Sequence, residues 1–262
     1  MFLQGGSIQG ARYGGVSPLD FNGLKFWFRA SDGVDLLRGN IIKRWKDISG
    51  NGNHLVPASG KSYGLRYYNS AFGRYVSGIA GGSTEPLNCI NNGVQKLLTD
   101  GSPYSVILII NTGPVNSSGG LTGQPANMFP IYAIAISSNA GTRSVTRLIQ
   151  NTITEIGVNA NGSLNYFSDN QNLLVADVGY GYLTSGRDLT TWINSVPAAS
   201  TDWINPPSLL APPNKFAITG DTGVKFYEII IYNHTGKDRP QINDELNKLT
   251  TEYINKRYPN FY

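Results

Sequence analysis

Val224-Lys225-Phe226-Tyr227-Glu228-Ile229-Ile230-Ile231-Tyr232-Asn233 is the stretch on which the fold turns. Alternation divides it into two faces. Val224, Phe226, Glu228, Ile230 and Tyr232 fall on one; Lys225, Tyr227, Ile229, Ile231 and Asn233 fall on the other. Period-two alternation in a run rich in β-branched and aromatic residues specifies a strand. The period then changes. Ile242, Leu246, Leu249, Tyr253 and Ile254 recur at helical spacing and form one apolar stripe. Thr235 or Asp238 can cap its start, Pro240 fits a first turn, and Lys256 and Arg257 suit the negative end of the helix dipole. A closing strand followed by one helix over 238–257 is therefore expected, with the helix across a sheet end or a sandwich edge.

A counterpart stands near the N-terminus. In Leu24-Lys25-Phe26-Trp27-Phe28-Arg29-Ala30, the residues Leu24, Phe26, Phe28 and Ala30 face one way and Lys25, Trp27 and Arg29 the other. Further short strands are expected over 41–45, 104–110, 131–137, 144–150, 153–158, 173–178, 189–194 and 215–219. The run at 104–110 is apolar on both faces, as a central buried strand would be. Gly-, Asn- and Pro-containing turns separate these runs, a pattern that means an antiparallel sandwich or barrel. The Pro-rich stretch 203–213 reads as a long ordered loop, because too few residues follow it to build a second core. The expected organisation is an arm over 1–21 and one domain over 22–262. Five glycines break the arm, while Phe2, Leu3, Ile8, Tyr13 and Val16 give it apolar surface to bury against a partner.

Composition narrows the function classes. Charged residues make up 15% of the 262-residue chain, against roughly 25% in ordinary soluble domains. The net charge of +4 is spread along the chain, so no basic stripe for nucleic acid is expected. Cys89 is the one cysteine, which excludes an intrachain disulfide and a cysteine-based zinc site and suits a buried thiol. Met1-Phe2-Leu3 leads straight into Gln4-Gly5-Gly6, with no signal-peptide pattern and no membrane-spanning apolar run. Synthesis in a cytoplasm is expected, without membrane insertion, and the sequons at Asn116, Asn161 and Asn233 read as chance.

Two segments carry a resemblance. Trp45, Asp47, Ser49, Gly50, Asn51, Gly52 and Asn53 follow the first aromatic strand in the form Trp-x-Asp-x-Ser-Gly-Asn-Gly-Asn. Glu228 to Asn233 end the chain's strands as Glu-Ile-Ile-Ile-Tyr-Asn, followed by Thr235, Asp238 and Arg239 and by a Lys-Arg-Tyr finish at 256–258. The strand with Thr190, Trp192 and Asn194 is similar to a penultimate hairpin strand, with Ser195 where a glycine is usual. Over about residues 22–258 the chain resembles the concanavalin A-like jelly-roll superfamily, and most closely the laminin G-like modules of bacterial surface proteins and phage virion proteins. The resemblance implies an all-β antiparallel jelly-roll sandwich with one C-terminal helix. For function it allows sugar binding, protein binding, glycan hydrolysis or surface decoration.

The candidate chemistry is thin. Glucanases of the superfamily carry a Glu-x-Asp-x-Glu strand, whose alternation sets two acids on one face as retaining hydrolysis requires. Glu85, Glu155, Glu228, Glu245 and Glu252 are the five glutamates, and none lies in such a triplet. Glu228 reads as a strand carboxylate paired with an arginine, Arg29, Arg44 or Arg239. His54 and His234 read as turn residues. Asp32, Asp35, Asp47, Asn51 and Asn53 could offer oxygens to a calcium ion. The Ser-Gly-Asn-Gly-Asn segment also makes a tight turn unaided, and no cofactor is expected. Exposed aromatics suit stacking on sugar faces. Tyr63, Tyr67, Tyr68, Phe72 and Tyr75 form one candidate patch, and Tyr180, Tyr182 and Trp203 another; packing of strand edges is the simpler explanation of either.

The expected protein is a non-enzymatic bacteriophage virion component on the particle surface: a capsid decoration, head fibre or tail adhesin. Its arm would join other virion proteins, with homo-oligomers in the assembly, and its lectin-like domain would meet host surface glycans. The alternatives are a glycan-active enzyme of the same superfamily and a bacterial surface adhesion module.

Overall fold

A computed structural model describes residues 15–57, 66–70, 73–77, 87–89, 102–111, 130–139, 142–149, 152–156, 172–179, 189–193, 196–201, 215–218 and 225–259. In chain order the strands are β1 (Leu24–Arg29), β2 (Val34–Leu36), β3 (Ile42–Trp45), β4 (Leu55–Pro57), β5 (Arg66–Ser70), β6 (Gly73–Ser77), β7 (Leu87–Cys89) and β8 (Tyr104–Asn111). They continue as β9 (Pro130–Asn139), β10 (Thr142–Ile149), β11 (Thr152–Ile156), β12 (Asn172–Gly179), β13 (Leu189–Ile193), β14 (Val196–Thr201), β15 (Lys215–Ile218) and β16 (Lys225–Asn233). One sheet runs β14-β13-β12-β8-β16-β6-β5, with β1 also paired to β16. The other runs β11-β10-β9-β15-β7-β4-β3-β2. The β15–β9 pair is parallel, so the second sheet is mixed rather than wholly antiparallel as expected.

Every strand expected from alternation is present. Those not anticipated are β2, β4 to β7 and β14, and they are short or interrupted. Val196–Thr201 contains Pro197 and lies at the end of its sheet, where a residue without an N–H is tolerated. Trp192 pairs with Pro197 and Ile193 with Val196, so β13 forms a hairpin as expected, but β14, β15 and β16 follow it and it is not penultimate.

Apolar side chains fill both faces of β1. Phe28 meets Trp45 of the second sheet at a ring separation of 5.8 Å, which places this pair between the sheets. Trp27 faces the other way. It clusters with Ile107, Ile109, Leu174, Ile230 and Tyr232 from neighbouring strands and with Leu249 and Ile254 from the C-terminal segment. Each such side chain taken fully from water contributes about 1.5–3 kcal/mol.

The C-terminal segment begins with α1 (Arg239–Leu249). Asp238 caps it: its carboxylate accepts from Gln241 N–H, and Gln241 Oε1 accepts from Asp238 N–H, each at 3.0 Å. A wider π-turn over Thr250–Ile254 and a last turn over Asn255–Arg257 follow. The expected start and end hold to within a residue. The placement differs, since the stripe lies on the outer face of the first sheet and not across its end or edge. The reason is Trp27 with Ile230, Ile107 and Leu174, a broad apolar surface that the sandwich interior does not cover. Among the described residues no helix is long and apolar enough to cross a membrane.

Candidate functional site

One edge of β16 has two partners. Lys225 and Phe226 pair with Ser77 and Val76 of β6, whereas Glu228 to Tyr232 pair with Arg29 to Leu24 of β1. At the changeover, against β8, Phe226 pairs with Ile110 and Glu228 with Ile109. Tyr227 is the extra residue of a β-bulge. Bulges bend a strand and re-aim its side chains. Here Tyr227 joins Ile230 and Tyr232 in the helix-facing cluster, and Glu228 reaches helix-borne hydroxyls on that same side. Strict alternation had set Tyr227 on the opposite face; the bulge overturns that assignment.

A cleft of about 530 Å³ opens at this seam. Ser31, just beyond β1, and Gly73 and Arg74, at the start of β6, form one side. Tyr253, Lys256 and Tyr258, beyond α1, form the other, and Tyr227 forms part of the wall. The π-turn makes this possible. Its extra residue per turn keeps Leu249 and Ile254, five apart, both buried on the sheet, while Glu252 and Tyr253 swing toward the cleft.

Behind the cleft wall lies Glu228, fully buried. Its Oε1 accepts from Trp27 Nε1–H at 2.5 Å and from Tyr253 O–H at 2.6 Å; its Oε2 accepts from Tyr258 O–H at 2.8 Å. Arg257 Nε lies 3.7 Å from Oε2. Among the described residues the cation that approaches Glu228 is thus Arg257, not the expected Arg29, Arg44 or Arg239. Arg44 instead pairs with Asp35, and Arg29 with Asp32. Burial and then the Glu228 charge hold the Tyr253 and Tyr258 hydroxyls far above the usual tyrosine range. Burial alone would lower Arg257, but Tyr258, Glu228 and Tyr253 beside it raise it above its ordinary value. The Tyr253 ring also meets Trp27 edge-on at 6.1 Å.

The expected binding aromatics divide. Tyr68 and Tyr75 are directly opposite each other on β5 and β6 and stack at 5.4 Å. Tyr75 touches Tyr227 at 5.8 Å, and Tyr227 touches Tyr258 at 6.4 Å. A row of rings therefore runs from the expected patch into the cleft. Lys225 lies 5.7 Å from the Tyr75 ring, and burial lowers its amine below the usual lysine value. Tyr67 carries the Arg74 guanidinium 6.0 Å from its ring. Tyr63, Phe72, Tyr180, Tyr182 and Trp203 lie outside the described residues.

The expected oxygen donors do not converge as a set. Asp47 spends its carboxylate on the chain's own amides: Oδ1 accepts from Trp27 N–H and Ser49 N–H, and Oδ2 from Asn53 N–H, each at 3.0 Å. Asn51 Nδ2 donates to Leu24 O and Lys25 O, and Asn53 Nδ2 donates to Lys25 O. The segment folds as a turn that grips the irregular start of β1. Asp32 stands apart, paired with Arg29 and 3.9 Å from Arg257. Among the described residues no three His, Cys, Asp or Glu side chains gather as metal ligands would.

His54 keeps its expected role, with Nδ1 accepting from Asp47 N–H at 3.1 Å. His234 keeps its place at a turn as well. It is buried, stacks on Tyr232 at 5.7 Å, and sets Nε2 2.9 Å from Ser105 Oγ. Burial, then the Lys237 charge, pushes it down to about 4. Glu245 lies 3.8 Å from Nδ1 but is itself paired with Lys237 at 2.6 Å. Residues 17–21, assigned above to the arm, pack on the domain. Ser17 caps a single turn over Pro18–Asp20, Tyr232 O–H donates to Pro18 O at 2.9 Å, and Phe21 meets the Tyr232 ring at 6.4 Å.

No protein-family model matches the chain, and no curated protein matches it. Solved structures do. The binding domain of Paraclostridial Mosquitocidal Protein 1 is similar, with a TM-score of 0.53 and 13% identity, over 90% of this chain and 54% of that one. The binding domain of botulinum neurotoxin serotype D/C gives 0.49 and 11%, over 90% and 54%. A carbohydrate esterase from Shiga toxin-encoding bacteriophage phi24B gives 0.41 and 18%, over 81% and 100%. The chain spans about half the length of the two toxin domains, 54% in each case. Agreement with the first is agreement of fold: the protein is a β-sandwich with a C-terminal helix.

Proposed function

We propose that this chain is a non-enzymatic, lectin-like binding module of the concanavalin A-like jelly-roll type, displayed on a bacteriophage virion, whose cleft at the β1–β6 seam takes a saccharide. The observation that carries the binding reading is the cleft itself. Its volume of about 530 Å³ lies within the range of small-molecule sites, about 300–1,000 Å³. Its wall combines tyrosine rings with charged groups, and a row of stacked rings leads into it. Rings suit the C–H faces of sugars, and charged or amide groups suit their hydroxyls.

The non-enzymatic reading is supported by Glu228. Among the described residues it is a buried carboxylate behind the cleft wall, and its two oxygens are occupied by an indole and two phenols. Glu228 is not among the residues that line the cleft, so it does not meet a glycosidic bond there. The virion placement rests on the resemblance of the segments at 45–53 and 228–239 to laminin G-like modules of virion proteins. The test is a panel of neutral and acidic host-surface oligosaccharides, read for binding and for release of reducing ends. Binding without release is expected. Release abolished by Glu228→Gln would move the protein to the enzyme class, and silence across the panel would end the saccharide reading.

A further inference from the structure

The charges around the cleft do not cancel. Arg257 lies against Glu228 and gives an Nη2–H to Ser31 Oγ at 2.8 Å, and Arg29 pairs with Asp32. Those two cations are matched. Among the described residues, Arg74 and Lys256 remain, both exposed on the lining, against one acid there, Glu252. No described residue pairs with Lys256. Arg74 is held from two sides, its Nη1–H on Ser31 O at 3.2 Å and its guanidinium 6.0 Å from the Tyr67 ring. One donor is thereby used, and no other described residue engages the rest of the planar fork.

We infer that the cleft binds a saccharide bearing a carboxylate, with Arg74 and Lys256 recognising the acid and the tyrosine wall taking the sugar ring. The inference rests on the saccharide reading above and names the class of sugar. A guanidinium fork meets a carboxylate through two parallel hydrogen bonds. Fixing the fork beforehand removes part of the ordering cost of binding. The wall supplies the second half of the specificity. Tyr253 and Tyr258 turn their hydroxyls inward to Glu228 at 2.6 and 2.8 Å, so ring carbon rather than hydroxyl borders the cleft. A neutral sugar would use the rings and leave the cations idle. A bare inorganic anion or an acidic peptide would use the cations and leave the rings. A sugar acid uses both.

The test is calorimetric titration of the full chain with two matched pairs, trigalacturonate against galactotriose and sialyllactose against lactose, with polyglutamate as an anion that lacks sugar. At least one acid should bind about tenfold more tightly than its neutral partner, the size expected for a charged hydrogen bond. Arg74→Gln with Lys256→Gln should bring that acid down to the neutral level, with the melting temperature unchanged because both side chains are exposed. Equal binding of acid and neutral partner overturns the inference and leaves saccharide binding standing. So does failure of both acids while a neutral glycan of the wider panel binds. Polyglutamate binding as tightly as the acids shows a site for charge alone and overturns it too. Silence of every sugar removes this inference together with the reading beneath it.

Discussion

Trp27 has two N–H groups, and each ends on a buried carboxylate. Its backbone N–H goes to Asp47, its indole N–H to Glu228. The two acids are otherwise unlike. Asp47 gathers backbone amides, from residues 27, 49 and 53, which any residue but proline could supply. Glu228 gathers side chains, from Trp27, Tyr253 and Tyr258, which must be those residues. The first acid fastens a turn to a strand. The second ties a helix to a sheet and, in doing so, sets the wall of the cleft. Function is therefore expected to follow Glu228 and not Asp47.

The sharpest break of that contrast is Glu228→Gln. The amide has one acceptor where the carboxylate had two, and its NH₂ group would face a donor. Arg257 would lose the nearer of its two counter-charges. Breaking a buried, hydrogen-bonded charge network costs about 3–5 kcal/mol. Urea denaturation should show a loss of that size, together with weaker binding in the cleft. A loss below about 1 kcal/mol would mean the knot is ornamental, since exposed pairs are worth that little.

The same sheet holds a buried group that responds to pH. His234 is pushed down to about 4 from 6.5 by burial and by Lys237, so the folded chain prefers the neutral imidazole. Between those values the unfolded chain takes up a proton that the folded chain refuses, and protonation favours unfolding. Stability from this group is complete above about 6.5, falls as pH falls through the window, and levels off below about 4. The amount is on the order of 3 kcal/mol. Urea midpoints measured across that window should slope less in His234→Gln than in the native chain; parallel slopes would assign the effect elsewhere.

The difference between the two acids also explains what could be read from sequence. The Asp47 turn lies within nine consecutive residues, and its glycines and asparagines announce it. The helix start at Asp238 was readable for the same reason, since the capping box is local. Glu228 was misread because its donors lie 25, 30 and 201 positions away and because a bulge at Tyr227 breaks the alternation used to assign faces. One signal was present. Leu249 and Ile254, five apart on an otherwise regular stripe, fit a π-turn better than an α-helix, and that turn brings Tyr253 and Tyr258 together at Glu228. Of the aromatic patch, Tyr68 and Tyr75 were readable as a cluster, but their continuity with Tyr227 and Tyr258 is a product of tertiary pairing. His234 was readable as the turn residue it is, because it follows the last strand. Its burial against Ser105 depends on a residue 129 positions away.

The smallest effect should come from Asp47→Asn, and its pattern decides whether the two acids really differ. Asparagine can keep its oxygen where Oδ1 stood, still accepting from Trp27 and Ser49. Its NH₂ would then face Asn53 N–H, leaving one buried donor without an acceptor. One lost hydrogen bond to a charged group costs about 1.5–3 kcal/mol. The neighbouring Gly50, Asn51 and Gly52 are exposed, so water can offset part of this, and a loss of about 2 kcal/mol is expected. Binding in the cleft should be untouched, because Asp47 acts on the backbone of Trp27 whereas the wall hangs on its indole. If Asp47→Asn weakens binding as much as Glu228→Gln does, the two carboxylates form one unit through Trp27 and the contrast fails. If added calcium raises the melting temperature of the native chain but not of Asp47→Asn, the turn is an ion site, and its amide bonds belong to the ion-free state alone.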